Sequence, residues 1–369
     1  MTADSTPLPS APGVADPLPD ARAPEVVRRP RRDDGAIPSR RERSVPHAGW
    51  MVVAGKEFAD HLLSARFFVL LAILGMAGGI PIFLATEQIR NLASQLPPGI
   101  SGLFVGLFII GPSDVSIFNI DVTVQSFITL AAPLLGLAFA FDAINGERAQ
   151  GTLPRLLSQP IHRDDVINGK FAAGLAIIAF VLAVVVGVIC AFGILRLGIA
   201  PTASEVLRLI VWFAVTVLYV GLWLSFGLLL SILFRRASTS ALVGFGVWLV
   251  VAVFGQFLVR FLLAFLVPTT NALTADNLSA IQTNTFILRL LPTTLYNEIS
   301  RVLLNPTATY AATPPTIGQN VQVSQQIGSV LSIDQSFIIV WPQIATLLAI
   351  MVVMFAIAYV RFMRQEVRA

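Results

Sequence analysis

Eight charged side chains lie in one short stretch between two long apolar runs, and they are the residues of this chain best suited to chemistry. They are Asp142, Glu147, Arg148, Arg155, Arg163, Asp164, Asp165 and Lys170. Carboxylates, guanidinium groups and an ammonium group alternate along this stretch, so it is suited to holding a charged partner through ion pairs. Apart from the N-terminal 47 residues, the rest of the chain carries little charge, which singles this stretch out as the first candidate site.

The middle of the stretch predicts a short rigid helix. Gly151 allows a sharp turn, Thr152 can cap the helix that follows, and Pro160 ends it. Its apolar ridge consists of Leu153, Leu156 and Leu157. Two interpretations stay open on physical grounds: an ordinary tight loop anchored by its charges, or a docking knob for a soluble partner.

The sequence contains few residues suited to catalysis, metal binding or ATP binding. The three histidines are His47, His61 and His162, and none lies in a zinc-binding spacing. The single Cys190 excludes an intrachain disulfide. Lys56 and Lys170 each follow a glycine, but neither continues as a Walker A loop. We therefore predict no catalytic residue, no metal site and no cofactor on this chain.

The composition indicates an integral membrane protein. Of the 369 residues, 55% are hydrophobic and 12% charged, against about 45–50% and about 25% in soluble domains. The formal net charge is +4, and the basic residues flank apolar runs instead of forming a patch laced with aromatic residues. We attribute them to orientation in a lipid bilayer and predict no nucleic-acid partner.

The apolar runs predict an all-α fold with six transmembrane helices. Each run has about the length that the hydrocarbon layer requires. The predicted spans are about 67–86, 122–142, 171–195, 207–234, 238–266 and 336–360. Arginine and lysine placement puts both termini on the cytoplasmic side.

The segments outside the spans have distinct characters. Residues 1–47 read as a disordered, basic, Pro/Arg-rich cytoplasmic tail, and 48–369 as the six-span domain. Trp50 to Arg66 predicts an amphipathic helix in the membrane interface. Gly99 to Gly111 predicts a re-entrant or interfacial hairpin. The long external loop 268–334 holds a broken amphipathic segment, Phe286 to Leu304, which we expect to pack as a cap or external gate.

Few polar side chains lie within the predicted spans, and these few are candidates for a substrate path. They are Gln125, Gln256, Arg260 and Gln343. Arg260 has a second interpretation, because an arginine near a membrane surface commonly extends its guanidinium to the headgroups. The shortage of charge favours a hydrophobic or amphipathic cargo.

The charged stretch resembles the signature of type-2 ABC transporter permeases, particularly the branch associated with multicopper-enzyme maturation. The residues that carry the resemblance run Asp142-x-Ile144-x-x-Glu147-Arg148-x-x-Gly151-Thr152-Leu153-x-x-Leu156-Leu157-Ser158-x-Pro160-Ile161-x-Arg163, followed by Gly169-Lys170. Lys56-Glu57 before Arg66 is similar to the elbow helix of that family, and Leu290-Leu291-Pro292 is similar to the segment before its last span. The resemblance covers the chain from about Trp50 to its end, and the tail has no counterpart.

The resemblance implies a plasma-membrane permease subunit whose loop 143–170, between spans two and three, is a coupling helix seated on a separate ATPase subunit. Two ATPase copies, which hold ATP and Mg²⁺, and a second permease subunit, identical or paralogous, complete the expected exporter. The expected coupling residues are Asp142, Glu147, Arg148, Gly151, Thr152, Leu153, Arg155, Leu156, Leu157, Pro160, Arg163 and Lys170. In this interpretation Arg155 and Arg163 pair with ATPase carboxylates, Asp142 and Glu147 fix the loop to the elbow helix or the membrane surface, and Lys170 anchors the third span.

Two other functions fit parts of the sequence. An ion-coupled secondary transporter needs no ATPase, but it ordinarily places a carboxylate at the bilayer midplane, and we expect neither a buried Asp nor a buried Glu in the predicted spans. A membrane anchor or scaffold that recruits a soluble protein through the charged loop shares every feature except cargo movement. A Walker A sequence in an adjacent reading frame would favour the exporter.

Overall fold

The structure is a computed structural model that describes residues 49–95, 102–111, 116–117, 120–152, 162–267, 275–305 and 331–365. The predicted tail 1–47 lies outside the described residues. So do residues 153–161 of the charged loop and residues 306–330 of the predicted external loop. The predictions for Leu153, Arg155, Leu156, Leu157 and Pro160 therefore stay predictions.

Helices make up most of the described chain. The helices are α1 (Gly49–Leu62), α2 (Ala65–Leu84), α3 (Thr86–Gln95), α4 (Leu103–Gly106), α5 (Val124–Ala140), α6 (Asn145–Ala149), α7 (Arg163–Leu197), α8 (Ala203–Leu233), α9 (Ala237–Trp248), α10 (Gly255–Leu266), α11 (Ala275–Leu288), α12 (Pro292–Leu304) and α13 (Ile333–Met363). A π-helical segment, Leu249–Val253, joins α9 to α10. Two-residue strands, β1 (Ser116–Ile117) and β2 (Ile120–Asp121), pair antiparallel.

Five helical stretches of the described residues are long and apolar enough to cross a membrane. They are Ala65–Leu84, Val124–Ala149, Arg163–Leu197, Ala203–Leu233 and Ile333–Met363. A sixth candidate is the pair Ala237–Val253 and Gly255–Leu266, which bends by 53° where the π-helical segment ends. The predicted all-helical class is therefore confirmed for the described residues apart from one minimal strand pair. The described residues thus offer five candidate spans, or six if the bent pair is one span.

Capping boxes place the start of two long helices. Thr202 and Glu205 bond each other's backbone N–H groups at the start of α8, and Ser332 and Gln335 do the same for α13. These reciprocal bonds satisfy N–H groups that the first turn leaves unpaired. Because of its cap, α8 begins at Ala203, before the start that hydropathy predicts, and its first turns contain charged residues.

Helix α8 is the centre of the bundle. It packs against α5, α7, α12 and α13, and its Trp212 and Tyr219 side chains are fully buried. The approach of α5 is close at Gly136, where an added Cβ would lie 2.6 Å from the Val220 carbonyl oxygen. A side chain at this position would force the two helices apart.

Two short elements cover one end of this bundle. Helix α12 begins at Pro292, where the sequence predicts a break, and packs against α5, α8 and α13. Helix α4 lies within the predicted hairpin and packs on α8, where the Phe108 ring is 5.1 Å from the Trp212 ring. Both segments bury apolar side chains against the bundle. Their place relative to the membrane stays a prediction.

Candidate functional site

The described part of the charged loop is a tight structure. Helix α6 ends at Ala149, and two residues later Gly151 has a backbone φ of +68°, a conformation that favours glycine. The backbone N–H of Thr152 donates to the Glu147 carbonyl oxygen at 3.0 Å, and its hydroxyl donates to the same oxygen at 3.2 Å. The loop therefore leaves α6 in a defined direction.

Lys170 joins the loop to two other helices. Its Nζ lies 2.9 Å from a carboxylate oxygen of Glu57 on α1 and 2.7 Å from one of Glu147 on α6. The Lys170 side chain is only 4% exposed. A buried ammonium group between two carboxylates is stable only while both partners are present, so this lysine ties α1, α6 and α7 together.

A second ion pair holds the start of the loop. The Arg66 guanidinium at the start of α2 lies 2.6 Å from the Asp142 carboxylate and stacks over the Phe141 ring at 5.2 Å. Asp142, which precedes α6, is thus bonded to the start of α2, and Glu147, within α6, is joined to α1 through Lys170. The sequence predicts this attachment for Asp142 and Glu147, but their role in coupling stays a prediction.

Helix α1 also packs closely on the first turns of α7. The backbone N–H of Trp50 donates to the Asp165 carboxylate at 3.1 Å. At Gly169 an added Cβ would lie 2.8 Å from the Trp50 carbonyl oxygen and 2.7 Å from Val53. The absence of a side chain at this glycine lets the two helices pack face to face beside Lys170.

Gln365 connects the loop to the end of α13. Its side-chain oxygen accepts from Arg148 at 2.6 Å, its backbone oxygen accepts from Arg163 at 3.2 Å, and its amide group donates to the Ile232 carbonyl at 2.9 Å. Arg163, which we expect to face ATPase carboxylates, bonds within the chain here. Gln365 therefore joins α6, α7, α8 and α13 at one end of the bundle.

The turn before α6 is bonded to α8. The backbone N–H groups of Ile144 and Asn145 both donate to the Ser231 hydroxyl, at 2.9 and 3.2 Å. The Asn145 side chain is fully buried, and neither of its amide atoms has a hydrogen-bond partner among the described residues. Nothing in the structure explains this buried amide.

His61 lies beside the ion pairs of this site. Its ring meets the Phe139 ring edge-on, with centroids 5.1 Å apart. Burial lowers the pKa of His61 below its ordinary value of 6.5; the Glu57 carboxylate opposes this shift, and the Lys170 ammonium group adds to it. The folded chain therefore favours the neutral imidazole.

This lowered pKa predicts a loss of stability in acid. The unfolded chain takes up a proton on His61 near pH 6.5 and the folded chain only below that, so the stabilisation present above pH 6.5 decreases as pH falls through the folded pKa. We expect the melting temperature of His61→Phe to improve relative to wild type between about pH 7.5 and about pH 5.5. Melting curves at both values test this, and an unchanged difference contradicts it.

Three of the four candidate substrate-path residues form hydrogen bonds with side chains of α12. Gln125 donates to Asn297 at 2.8 Å, Gln256 to Thr294 at 3.3 Å, and Gln343 to Glu298 at 3.0 Å. Arg260 is exposed on α10 instead. The structure therefore gathers the three glutamines around one helix and leaves the arginine apart from them.

Helix α12 carries a buried charge that hydropathy does not reveal. Both carboxylate oxygens of Glu298 accept from Arg289, at 2.9 and 3.2 Å, and one also accepts from Gln343. Nearby, the Tyr296 ring stacks on Tyr219 with centroids 4.4 Å apart. Burial raises the pKa of Tyr296, which stays a neutral phenol. These polar groups hold α12 in the bundle.

Two further buried charges, Glu205 and Arg208, lie in the first turns of α8. The Glu205 carboxylate accepts from the backbone N–H groups of Gly102 and Phe104 at 3.0 and 2.8 Å. The spacing Thr202-x-x-Glu205 is a capping-box signal, and it could have placed these residues inside a helix. Sequence reasoning missed Glu205 because hydropathy starts the span at about residue 207, and it gave no sign that Arg208 is buried.

The Arg208 side chain holds helix α12 and the start of α13 against α8. Its guanidinium donates to the carbonyl oxygens of Val302 and Leu303, each at 3.4 Å, to the Ser336 hydroxyl at 3.0 Å, and to the Leu331 carbonyl oxygen. Glu205 and Arg208 thus bind α4, α12 and α13 from one end of α8.

Long apolar helices with a charged loop bonded to several of them define a multi-pass helical membrane protein. The chain belongs to the ABC-2 family of transporter proteins, whose family profile matches residues 51–367. It is therefore an ABC transporter permease, and the resemblance in the charged stretch is confirmed at the level of the family.

Two relatives carry the name "Probable ABC transporter permease protein NosY". The relative from Stutzerimonas stutzeri is 35% identical over 139 residues, which are 35% of this chain and 48% of that protein. The relative from Pseudomonas aeruginosa is 38% identical over 91 residues, 24% of this chain and 31% of that protein. The matched region thus spans less than half of either relative.

Proposed function

We propose that this permease couples ATP hydrolysis by a separate ATPase subunit to export of a substrate across the plasma membrane. The observation that carries the proposal is the buried Lys170, which bonds the charged loop to α1 through Glu57 and to α6 through Glu147. A loop that merely joined two helices would gain little from a buried ion triad, because burying charges is costly. A rigid attachment is what transmission of force requires.

Motion of the loop would reach four helices through side-chain contacts. Lys170 links α6 to α1 and α7, Arg66 links Asp142 to the start of α2, and Gln365 links Arg148 to the end of α13. These ties are short and lie at one end of the bundle. A displacement of α6 would therefore shift the same end of each helix, which is how a docked subunit would reorient the spans.

The proposed assembly follows the family pattern. Two ATPase copies hold ATP and Mg²⁺, and a second permease subunit, identical or paralogous, faces this one within the lipid bilayer. Arg235 and Arg236 at the start of α9, and Arg361 and Arg364 at the end of α13, favour a cytoplasmic place for the charged loop and both termini.

We also propose that α12 closes the outer end of the substrate path. Its bonds with Gln125 and Gln343 attach it to α5 and α13, and opening the path there would require these bonds to break. The apolar character of the spans favours a hydrophobic or amphipathic cargo, and Arg260 on α10 serves as a headgroup contact.

Docking of the ATPase is tested at the leucine ridge. In Leu156→Asp/Leu157→Asp, we expect association with the cognate ATPase to fall by roughly tenfold or more, because acidic groups replace apolar contact area. Co-purification from membranes measures the association. Leu63→Asp, which changes an 82% exposed leucine between α1 and α2, is the matched control and should leave the complex intact.

The outcomes separate the competing functions. Unchanged association and unchanged ATP-dependent transport in the double variant would remove the coupling assignment. Association without any ATP-dependent transport by the wild-type complex in vesicles would favour a scaffold. Cargo movement by the permease alone, driven by an ion gradient, would favour a secondary transporter.

A further inference from the structure

A groove of about 510 Å³ runs along the final part of α13. Its lining residues are Val353, Ala356, Ile357, Val360, Arg361 and Arg364. Their spacing of three and four residues puts them on one face of the helix. The groove follows the helix for about 16 Å, at 1.5 Å per residue. It is apolar along most of this length and ends at two exposed arginines.

Positive charge accumulates where the groove ends. Arg148 and Arg163 both donate to Gln365, the residue that follows Arg364. Among the described residues, no carboxylate forms a salt bridge with any of these four arginines. Glu366 is next in sequence and lies outside the described residues. The end of α13 therefore combines an apolar groove with four arginines that form no salt bridge within the part of the chain that the structure describes.

We propose that this end of α13 is a binding site for an anionic membrane lipid. One acyl chain lies in the groove along Val353, Ala356 and Val360, and the phosphate binds Arg361 and Arg364. Apolar surface next to a cationic cluster matches both halves of such a lipid. An acidic protein surface would account for the arginines but would leave the groove, which continues into the apolar part of α13, unfilled.

The site lies next to the charged loop, which gives the lipid a way to act on it. Gln365 accepts hydrogen bonds from Arg148 on α6 and Arg163 on α7. A phosphate bound one residue away draws on the same positive field. Lipid occupancy therefore favours one arrangement of the loop against α13.

The test uses the full-length chain in a neutral detergent, without any ATPase. Native mass spectrometry follows the binding of dioleoylphosphatidylglycerol and of dioleoylphosphatidylcholine, which has the same acyl chains. We expect selective retention of the anionic lipid. In Arg361→Gln/Arg364→Gln its affinity should fall roughly thirtyfold, and raising the salt from about 0.1 M to about 0.5 M should weaken wild-type binding.

Matched variants separate the two halves of the site. Ala356→Trp fills the groove without changing charge and should also weaken binding, whereas Ala345→Trp, exposed higher on α13, should not. Arg196→Gln/Arg260→Gln removes two exposed arginines elsewhere and should leave binding unchanged. Glu366→Gln should likewise have little effect, since the proposal does not assign Glu366 as the counter-ion.

Four results would overturn the proposal. The first is equal retention of the two lipids. The second is equal loss in the site variants and their controls. The third is full competition by glycerol 3-phosphate, which would show a site for free phosphate without an acyl chain. The fourth is unchanged lipid binding in Arg361→Gln/Arg364→Gln, which would show that the two arginines do not hold the lipid phosphate.

Discussion

Replacing Lys170 with methionine should lower the free energy of unfolding by about 3–5 kcal/mol, because two partly buried carboxylates lose their shared, buried counter-ion. The Glu57 and Glu147 side chains are only 13% and 18% exposed. Water therefore compensates little for the lost ammonium group. Thermal unfolding of the purified chain in detergent measures this effect.

Two further variants, a control at Lys56 and a rescue of Lys170→Met, make the Lys170 result interpretable. Lys56 is exposed on α1, where its ammonium group lies 3.3 Å from Asp60 and 3.9 Å from Glu57, so Lys56→Met should have no measurable effect. Adding Glu57→Gln and Glu147→Gln to Lys170→Met should recover most of the lost stability, because no unpaired charge stays buried. A Lys170→Met variant as stable as Lys56→Met would contradict the ion triad.

The triple variant Lys170→Met/Glu57→Gln/Glu147→Gln also distinguishes a role of the ion triad in stability from a role in transmitting motion. If the triad only stabilises the fold, the recovered protein should transport at the wild-type rate in the reconstituted complex. If the triad transmits motion, transport should stay low while the melting temperature recovers. We expect the second result, because the neutral side chains no longer pull α1 and α7 with the loop.

Replacing Arg208 with methionine should cost about 3 kcal/mol, since several hydrogen bonds from one charged donor are lost and buried carbonyl oxygens are left unpaired. The bonds lost include those to the last turn of α12, through Val302 and Leu303, and to Ser336 on α13. We expect α12 to loosen from the bundle. Increased proteolysis of the 305–331 connection would report the loosening beside the lower melting temperature.

The controls for Arg208 use the same chemistry. Arg260→Met removes an exposed guanidinium on α10 and should leave the melting temperature unchanged. Arg208→Lys keeps the charge, but one ammonium group cannot reach all the acceptors that the guanidinium fork spans, so an intermediate loss is expected. Equal stability of Arg208→Met and Arg260→Met would show that Arg208 does not hold α12 and the start of α13 in the bundle.

Hydropathy and charge were sufficient to predict the helical membrane class, and they indicate the charged loop as the candidate site. Uncharged runs of about 20 residues have few other structural solutions. The cluster of charge around Lys170 stands out in such a chain. The contact of Lys170 with Glu57 could not be deduced, because the two residues lie 113 positions apart in the sequence. Only the packing of α1 on α7 brings them together.

The buried charges at the other end of the bundle show where sequence reasoning failed. Glu205 and Glu298 are predicted to lie in the connections between spans, and Arg208 at the very start of a span, since a charge ends an apolar run in any hydropathy profile. In the structure each is buried by a contact distant in sequence: α4 covers Glu205, α12 covers Arg208, and Gln343 of α13 meets Glu298. Local patterns carry no information about such partners.

The central claim is that the charged loop faces the cytoplasm and carries an ATPase subunit. A cysteine at Thr152, with Cys190 replaced by alanine, provides one thiol beside the loop. Labelling with a membrane-impermeant maleimide in vesicles of known orientation measures its exposure directly. We expect labelling only from the cytoplasmic side, and we expect a bound ATPase to protect the thiol at position 152 from the reagent. Labelling from the outer side, or equal labelling with and without the ATPase, would contradict it.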